Sequence, residues 1–80
     1  MKVLFYGRLA ESVAAAVEVD APPGSSVAQL RERLIAEYPQ AEQSLGSRRS
    51  RACVGDTLVP DDHLLEAANT VEFLPPVSGG

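Results

Sequence analysis

The chain has 80 residues, of which 45% are hydrophobic and 22% charged, and its formal net charge is −4. This length supports one small domain with one core, and the composition is that of a globular protein. The acidic balance argues against a nucleic-acid partner, because binding to phosphates requires clustered lysine and arginine. No apolar run approaches the roughly 20 residues of a membrane span. We therefore expect one globular domain with no nucleic-acid or membrane partner.

Residues 2–6 begin the chain with a bulky apolar run that is typical of a strand. Leu9 and Val13, four residues apart, indicate one or two helical turns after it. Val17 and Val19 alternate with acidic residues, as in a half-buried strand. The first quarter of the chain thus predicts a strand, a short helical connection and a second strand.

The clearest element is a helix over residues 26–38. Ser26 and Gln29 form a capping-box pattern, in which each side chain binds a free backbone N–H group of the first turn. Apolar residues then recur at helical spacing on one face, and Pro39 ends the helix. The charged residues of this segment, including Arg31, are expected mostly on the opposite face, towards solvent.

The second half of the chain predicts three short strands. Residues 51–54 and 57–59 flank a Gly-Asp pair that favours a tight hairpin turn. Leu64 and Leu65 are expected to supply core side chains, and residues 70–74 alternate as a last strand. One amphipathic helix on one face of a mixed sheet is a two-layer solution for a domain of this size, so the predicted fold class is α+β.

Residues that could carry chemistry are few. Cys53 is the one cysteine, so the chain can form no internal disulfide and no four-cysteine metal site. It lies in an apolar run, where an inert buried thiol is the expected role. His63 follows two aspartates in a turn-like segment and is interpreted as a surface residue. We expect no catalytic set, no metal and no bound cofactor, and a cytoplasmic location.

One basic cluster interrupts this acidic chain. Arg48, Arg49 and Arg51 lie in a stretch flanked by serines. We interpret the cluster as part of a solvated loop, because short charge runs usually face water. A docking contact for an acidic partner is the alternative interpretation.

The last six residues, 75–80, form an unusual tail. Pro75 and Pro76 have fixed φ angles and no N–H group, so they project the chain stiffly from the last strand. Gly79 and Gly80 have no Cβ atom and can pass through a channel that is too narrow for other residues. Six residues span at most about 20 Å. Such a tail is suited to delivering a backbone carboxylate into another protein's active site. The alternative interpretation is a disordered end without a function.

Taken together, these segments resemble one family. The first strand, residues 2–6, and the ending Pro-Pro-Val-Ser-Gly-Gly of residues 75–80 are similar to those of the small subunits of molybdopterin synthase, as is the Asp-His-x-Leu segment of residues 62–65. The resemblance covers essentially the whole chain. Gly55 departs from it, since the family often has Asn in that turn. The resemblance implies a ubiquitin-like β-grasp domain over residues 1–74, followed by the extended tail.

The resemblance further implies a sulfur carrier that is not catalytic alone. A separate E1-like adenylating enzyme would consume ATP to adenylate Gly80, and sulfur would replace the adenylate to give a thiocarboxylate. The tail would then enter the large subunit of molybdopterin synthase, in a heterotetramer of two small and two large subunits. There the sulfur would move to the pyranopterin precursor in molybdenum cofactor synthesis. Contacts with the partner would come from the tail and the residue before it: Leu74, Pro75, Pro76, Val77, Ser78 and Gly79.

Leu74 is also singled out by its place in the last strand. It is out of register with Val71 and Phe73, and successive side chains of a strand point to opposite faces of the sheet. Leu74 is therefore expected on the exposed face, as an apolar contact for the partner.

Three alternatives remain open. A sulfur carrier for thiazole synthesis or tRNA thiolation shares the Gly-Gly end, but such tails generally lack the Pro75-Pro76-Val77 stem. A ubiquitin-like modifier would be joined to target lysines by an isopeptide bond. A plain interaction module would make no use of the tail at all.

Overall fold

A computed structural model of the chain describes residues 1–46 and 50–75. Within these residues, five strands are formed: β1 (Lys2–Phe5), β2 (Ala16–Glu18), β3 (Arg51–Val54), β4 (Thr57–Val59) and β5 (Thr70–Leu74). Three α-helices connect them: α1 (Arg8–Ser12), α2 (Val27–Glu37) and α3 (Glu42–Leu45), with a 3₁₀ turn at Pro39–Ala41 before α3. The elements follow the predicted order of strand, strand, main helix and three strands.

The strands form one mixed sheet in the order β2-β1-β5-β3-β4. β1 and β5 are parallel at its centre, where Val3 lies opposite Val71 and Phe5 opposite Phe73. The pairs β1–β2, β3–β4 and β3–β5 are antiparallel. The end of β5 therefore lies between the end of β1 and the start of β3. The predicted α+β class with a mixed sheet is confirmed.

Helix α2 covers one face of this sheet. Its residues Val27, Leu30 and Leu34 are buried in one cluster with the inward side chains of β1 and β5. The helix begins with the predicted capping box: the Gln29 backbone N–H donates to Ser26 Oγ at 3.1 Å, and the Ser26 backbone N–H donates to Gln29 Oε1 at 2.8 Å. The Ser26–Gln29 pattern that predicts the helix therefore also provides hydrogen-bond acceptors for two backbone N–H groups at its start.

The hairpin between β3 and β4 turns at Gly55 and Asp56. Both residues have positive φ angles, 57° and 66° respectively. A two-residue turn of this kind matches the twist of the flanking strands. Glycine adopts the left-handed region at no steric cost, and Asp is among the few other residues that tolerate it. The predicted tight turn is confirmed.

Arg31 is the main departure from the sequence prediction. The helical pattern places it towards solvent, but the residue is only 4% exposed. Its Nη1 donates to the backbone O of Leu45 and to Ser50 Oγ, each at 2.7 Å, and its Nη2 donates to the backbone O of Ser50 at 2.8 Å. Its Nε lies 3.1 Å from Asp61 Oδ1, and its guanidinium carbon lies 5.1 Å from the centroid of the Phe73 ring. These partners, distant in sequence, draw Arg31 inwards.

The two neighbouring leucines after β4 have different surroundings. Leu65 is buried as predicted, but Leu64 is 64% exposed, so the expectation that both supply the core is wrong. Leu64 pairs with Ser26 in an isolated antiparallel bridge. Since adjacent side chains of extended backbone point in opposite directions, only one of the two leucines can face the core.

Candidate functional site

The candidate site begins where β5 ends. Leu74 is the last residue of β5, and Pro75 follows it; we call these two residues the tail root. In the register of β3 and β5, Arg51 lies opposite Leu74. The rest of the predicted tail lies outside the described residues, as do two arginines of the basic cluster: Pro76, Val77, Ser78, Gly79, Gly80, Arg48 and Arg49.

A groove of about 470 Å³ lies beside the tail root. Gly7, which links β1 to α1, has φ 62° and ψ −135°, a conformation that is favourable only for glycine. A Cβ atom at Gly7 would lie 3.5 Å from Pro75 Cγ, so the Gly7 backbone comes close to the proline ring. Besides Pro75, the groove is lined by residues from the end of β1, the start of α1 and α3: Tyr6, Gly7, Arg8, Leu9, Gln43 and Ser44.

The sheet face opposite α2 carries an apolar surface next to the tail root. Side chains that are opposite each other in register point to the same face of the sheet. One such row crosses β1, β5, β3 and β4 and consists of Leu4, Glu72, Cys53 and Leu58. Leu74 points to this face as well, two residues beyond Glu72. We call Leu4, Cys53, Leu58 and Leu74 the outer apolar surface. Helices α1, α2 and α3 all contribute to the core on the other face.

The exposure of the three leucines fits a docking surface better than a second core, whereas Cys53 is buried. Leu58 is 50% exposed, and Leu4 and Leu74 are half-buried. The side chains of Val71 and Phe73 are buried on the core face of the sheet, and that of Leu74 points to the other face. The predicted placement of Leu74 on the outer face is therefore confirmed. Large apolar side chains grouped on one face of a small domain are typical of contact sites for other proteins.

Tyr6 lies where the outer apolar surface meets the groove. Tyr6 is 41% exposed, and its hydroxyl donates a hydrogen bond to Glu72 Oε2 at 2.7 Å. That hydrogen bond is the main cause that raises the pKa of Tyr6, with smaller contributions from desolvation and from the charges of Glu72 and Cys53. A raised pKa means that the bond stabilises the fold below the ordinary tyrosine pKa of 10.0 and that this contribution is lost as the pH rises through the raised value. At neutral pH the phenol keeps its proton and donates this hydrogen bond to the Glu72 carboxylate.

The other residues that could carry chemistry do not form a site. Cys53 is a buried free thiol, as predicted, although it belongs to the outer face and not to the core cluster. His63 is half-buried in its turn, where its backbone O accepts a hydrogen bond from the Val27 N–H at 3.0 Å. Over residues 1–46 and 50–75, no three His, Cys, Asp or Glu side chains are grouped so that they could hold a metal ion. In the same ranges no helix has the length and apolar character that crossing a membrane would require.

The sequence pattern of the ThiS family matches residues 3–80. The chain belongs to this family. It is also 34% identical to the molybdopterin synthase sulfur carrier subunit of Escherichia coli, over 100% of this chain and 99% of that protein. The resemblance seen in the first strand and the tail is therefore confirmed over the full length.

Solved structures of other proteins share the fold. The small archaeal modifier protein 1 of H. volcanii matches with a TM-score of 0.82 at 18% identity, covering 95% of each chain. A chain in the complex of subunits 1 and 2 of the molybdopterin-converting factor from Helicobacter pylori matches with a TM-score of 0.66 at 22% identity, covering 99% of this chain and 96% of that one. The predicted ubiquitin-like β-grasp fold is confirmed.

The tail and Leu74 are predictable site residues from the sequence, but the residues around the tail root are not. Tyr6, Gly7, Arg8 and Leu58 come from segments far from the tail in the sequence. Alternation within β4 predicts only that Leu58 faces away from its neighbours. That these residues lie on the same face or end of the sheet as the tail root follows from the strand order, for which the sequence carries no local signal.

Proposed function

We propose that this chain is the sulfur carrier subunit of a molybdopterin synthase and that Gly80 carries the sulfur. The observation that supports this most strongly is the 34% identity to the Escherichia coli subunit of that name over 99% of that protein's length. The Pro-Pro-Val-Ser-Gly-Gly sequence of residues 75–80 adds a tail that is slender at its end and stiff at its root.

The proposed chemistry starts from a carboxylate, which is a poor electrophile until it is activated. An E1-like adenylating enzyme would join the Gly80 carboxylate to the AMP part of ATP and release pyrophosphate. A sulfur nucleophile in the oxidation state of sulfide would then attack the acyl carbon, and AMP would leave. The resulting thiocarboxylate would donate its sulfur to the pyranopterin precursor bound in the large subunit.

In this proposal the catalytic groups and the ATP site belong to the partners. The carrier contributes the tail, the tail root and the outer apolar surface, where Leu74 and Leu58 would contact the large subunit. The Helicobacter pylori complex is one of subunits 1 and 2, and we propose the corresponding partner here, in a heterotetramer of two small and two large subunits. Because the activation consumes ATP, we propose the cytoplasm as its location.

Mass spectrometry of the tail peptide tests the proposal. The chain is incubated with the adenylating enzyme, ATP and sulfide, and then cleaved after Glu72 to release residues 73–80. This peptide contains neither Met1 nor Cys53, so a mass gain of sulfur for oxygen cannot be confused with oxidation of either. We expect the gain in the full chain and in Cys53→Ser, and none in a chain that lacks Gly80.

Other outcomes separate the alternatives. An unshifted peptide, with the enzyme shown to bind ATP, would contradict the carrier function. A shifted peptide whose sulfur is never passed to the precursor in the large subunit would indicate a carrier for thiazole synthesis or tRNA thiolation. Ladders of conjugates on a denaturing gel would indicate a protein modifier, since a thiocarboxylate leaves the chain at monomer size.

A further inference from the structure

Two exposed arginines flank the tail root. Arg51 is the first residue of β3 and lies opposite Leu74 in the register of the sheet. Arg8 is the first residue of α1 and lines the groove that also contacts Pro75. Because β5 lies between β1 and β3 in the strand order, the two arginines lie on opposite sides of the root. They come from segments with no relation in the sequence.

These arginines are available to another molecule. Within the part of the chain that the structure describes, neither forms an ion pair. The neighbouring carboxylates are engaged elsewhere: Glu72 accepts the hydrogen bond of Tyr6, and Asp61, which lies with Arg51 at a second small groove, pairs with Arg31. Glu11, three residues after Arg8 on α1, forms no ion pair with it either, so both arginines remain open to a carboxylate of another molecule.

Positive charge at this place contrasts with the chain as a whole. The chain has 11 acidic and 7 basic residues, and its net charge is −4. Under the proposed function the far end of the tail is an anion, so the chain presents negative charge at the tip of the tail and positive charge beside its root. A cationic root then complements a channel whose mouth is negative, and such a charge pattern orients two proteins during their encounter.

We propose that Arg8 and Arg51 form a basic collar that pairs with carboxylates at the mouth of the tail-binding channel in the large subunit. This inference rests on the proposed function and adds the charge that the partner must present. Exposed pairs at the rim of an interface act mainly on the association rate and on orientation. The collar would hold the domain so that the tail points into the channel, while the outer apolar surface supplies most of the buried contact.

Charge reversal tests the collar. Arg8→Glu, Arg51→Glu and the double variant are compared with Arg33→Glu, which makes the same change in net charge at an exposed position of α2. The association rate of each full chain with the large subunit is measured by stopped flow at low and high salt. We expect each collar variant to associate about three to ten times more slowly at low salt, with the difference shrinking at 1 M salt, where the Debye length is about 3 Å. Arg33→Glu should change the rate by less than about twofold.

The variants are designed to remain folded. Arg8 begins α1, where a carboxylate is favourable next to the helix N-terminus, and Arg51 has an exposed side chain on β3. Circular dichroism verifies the fold. Arg8→Gln and Arg51→Gln, which remove the charge without reversing it, should show a smaller change in the same direction.

Three results would contradict the collar in different ways. Collar variants that associate no more slowly than Arg33→Glu would overturn the inference and leave the proposed function intact. A wild-type chain that does not bind the large subunit would overturn the proposed function, and the collar with it. Variants that slow adenylation but bind the large subunit normally would assign the carboxylates to the adenylating enzyme, so the proposed partner would be wrong.

Discussion

Arg31 links α2 to segments that are distant from it in the sequence. Its guanidinium uses hydrogen bonds to reach the end of α3 at Leu45, Ser50 before β3, and Asp61 after β4. It also lies over the ring of Phe73, one residue before the tail root. A buried guanidinium is costly unless its donors are satisfied, and here Nε, Nη1 and Nη2 all have acceptors. Arg31 thus connects α2 to the segments next to β3, β4 and β5.

Removal of this side chain is expected to destabilise the fold strongly. Arg31→Ala leaves buried carbonyl groups without donors and Asp61 without its cation, so the free energy of unfolding should fall by about 3 kcal/mol. Urea unfolding followed by circular dichroism measures the change. Arg33→Ala, two positions away on the exposed side of the same helix, should cost less than about 0.5 kcal/mol.

Arg31→Lys separates charge from geometry in the same experiment. Lysine keeps the cation but lacks the planar fork that reaches acceptors on three residues, so it should recover only a part of the stability. If Arg31→Ala and Arg33→Ala unfolded at the same urea concentration, the buried network would contribute nothing measurable.

Among the elements, the β3–β4 hairpin depends on backbone conformation alone. Gly55 has φ 57°, and a Cβ atom there would meet no other atom within 4 Å. Gly55→Val should therefore lower the free energy of unfolding by about 1–2 kcal/mol, through strain in the left-handed region and not through a clash. Gly55→Asn should cost clearly less, because Asn tolerates this region.

Thermal unfolding of the two variants checks this prediction. Equal losses for Val and Asn would indicate that the turn has changed its type or that the added side chains act through other contacts. The comparison also bears on the sequence resemblance, since Asn often stands at this position in the family. A nearly neutral Gly55→Asn would show that this departure leaves the hairpin intact.

At the scale of the whole molecule, one face of the mixed sheet packs in the core, and we propose that the other face contacts the large subunit. Leu74 lies on the second face beside Arg51, and Leu58 lies on the same face two strands away from β5. Leu74→Arg should weaken binding to the large subunit by at least about tenfold, because it places a charge in an interface that buries apolar surface. Isothermal titration calorimetry with the purified large subunit measures the affinity.

Leu64→Arg is the matched control for that variant. Leu64 is the more exposed of the two leucines, but it lies beside the start of α2 and away from the outer apolar surface. It should bind with the affinity of the wild type. Leu74→Arg that folds normally and binds as tightly as Leu64→Arg would contradict the role of the outer apolar surface in docking.

Features that depend on neighbouring residues were predicted correctly from the sequence. The capping box of Ser26 and Gln29, the Gly-Asp turn of the hairpin and the outward direction of Leu74 are all set by contacts or periodicities within a few positions. The family and the fold followed as well, since the tail and the first strand are contiguous segments. The prediction for Cys53 as a buried thiol also required only its apolar neighbours.

Features that depend on strand order were not predictable in this way. Arg31 has a polar side chain on a helix, and only its partners 14 to 30 residues away make burial favourable. Leu64 and Leu65 are equivalent in hydropathy, and the pairing with Ser26 decided which of them faces water. Arg8 and Arg51 flank the tail root because one parallel and one antiparallel neighbour bring the end of β1 and the start of β3 to the end of β5. Local patterns thus set the elements and their faces, whereas long-range pairing placed charge and apolar surface around the tail root.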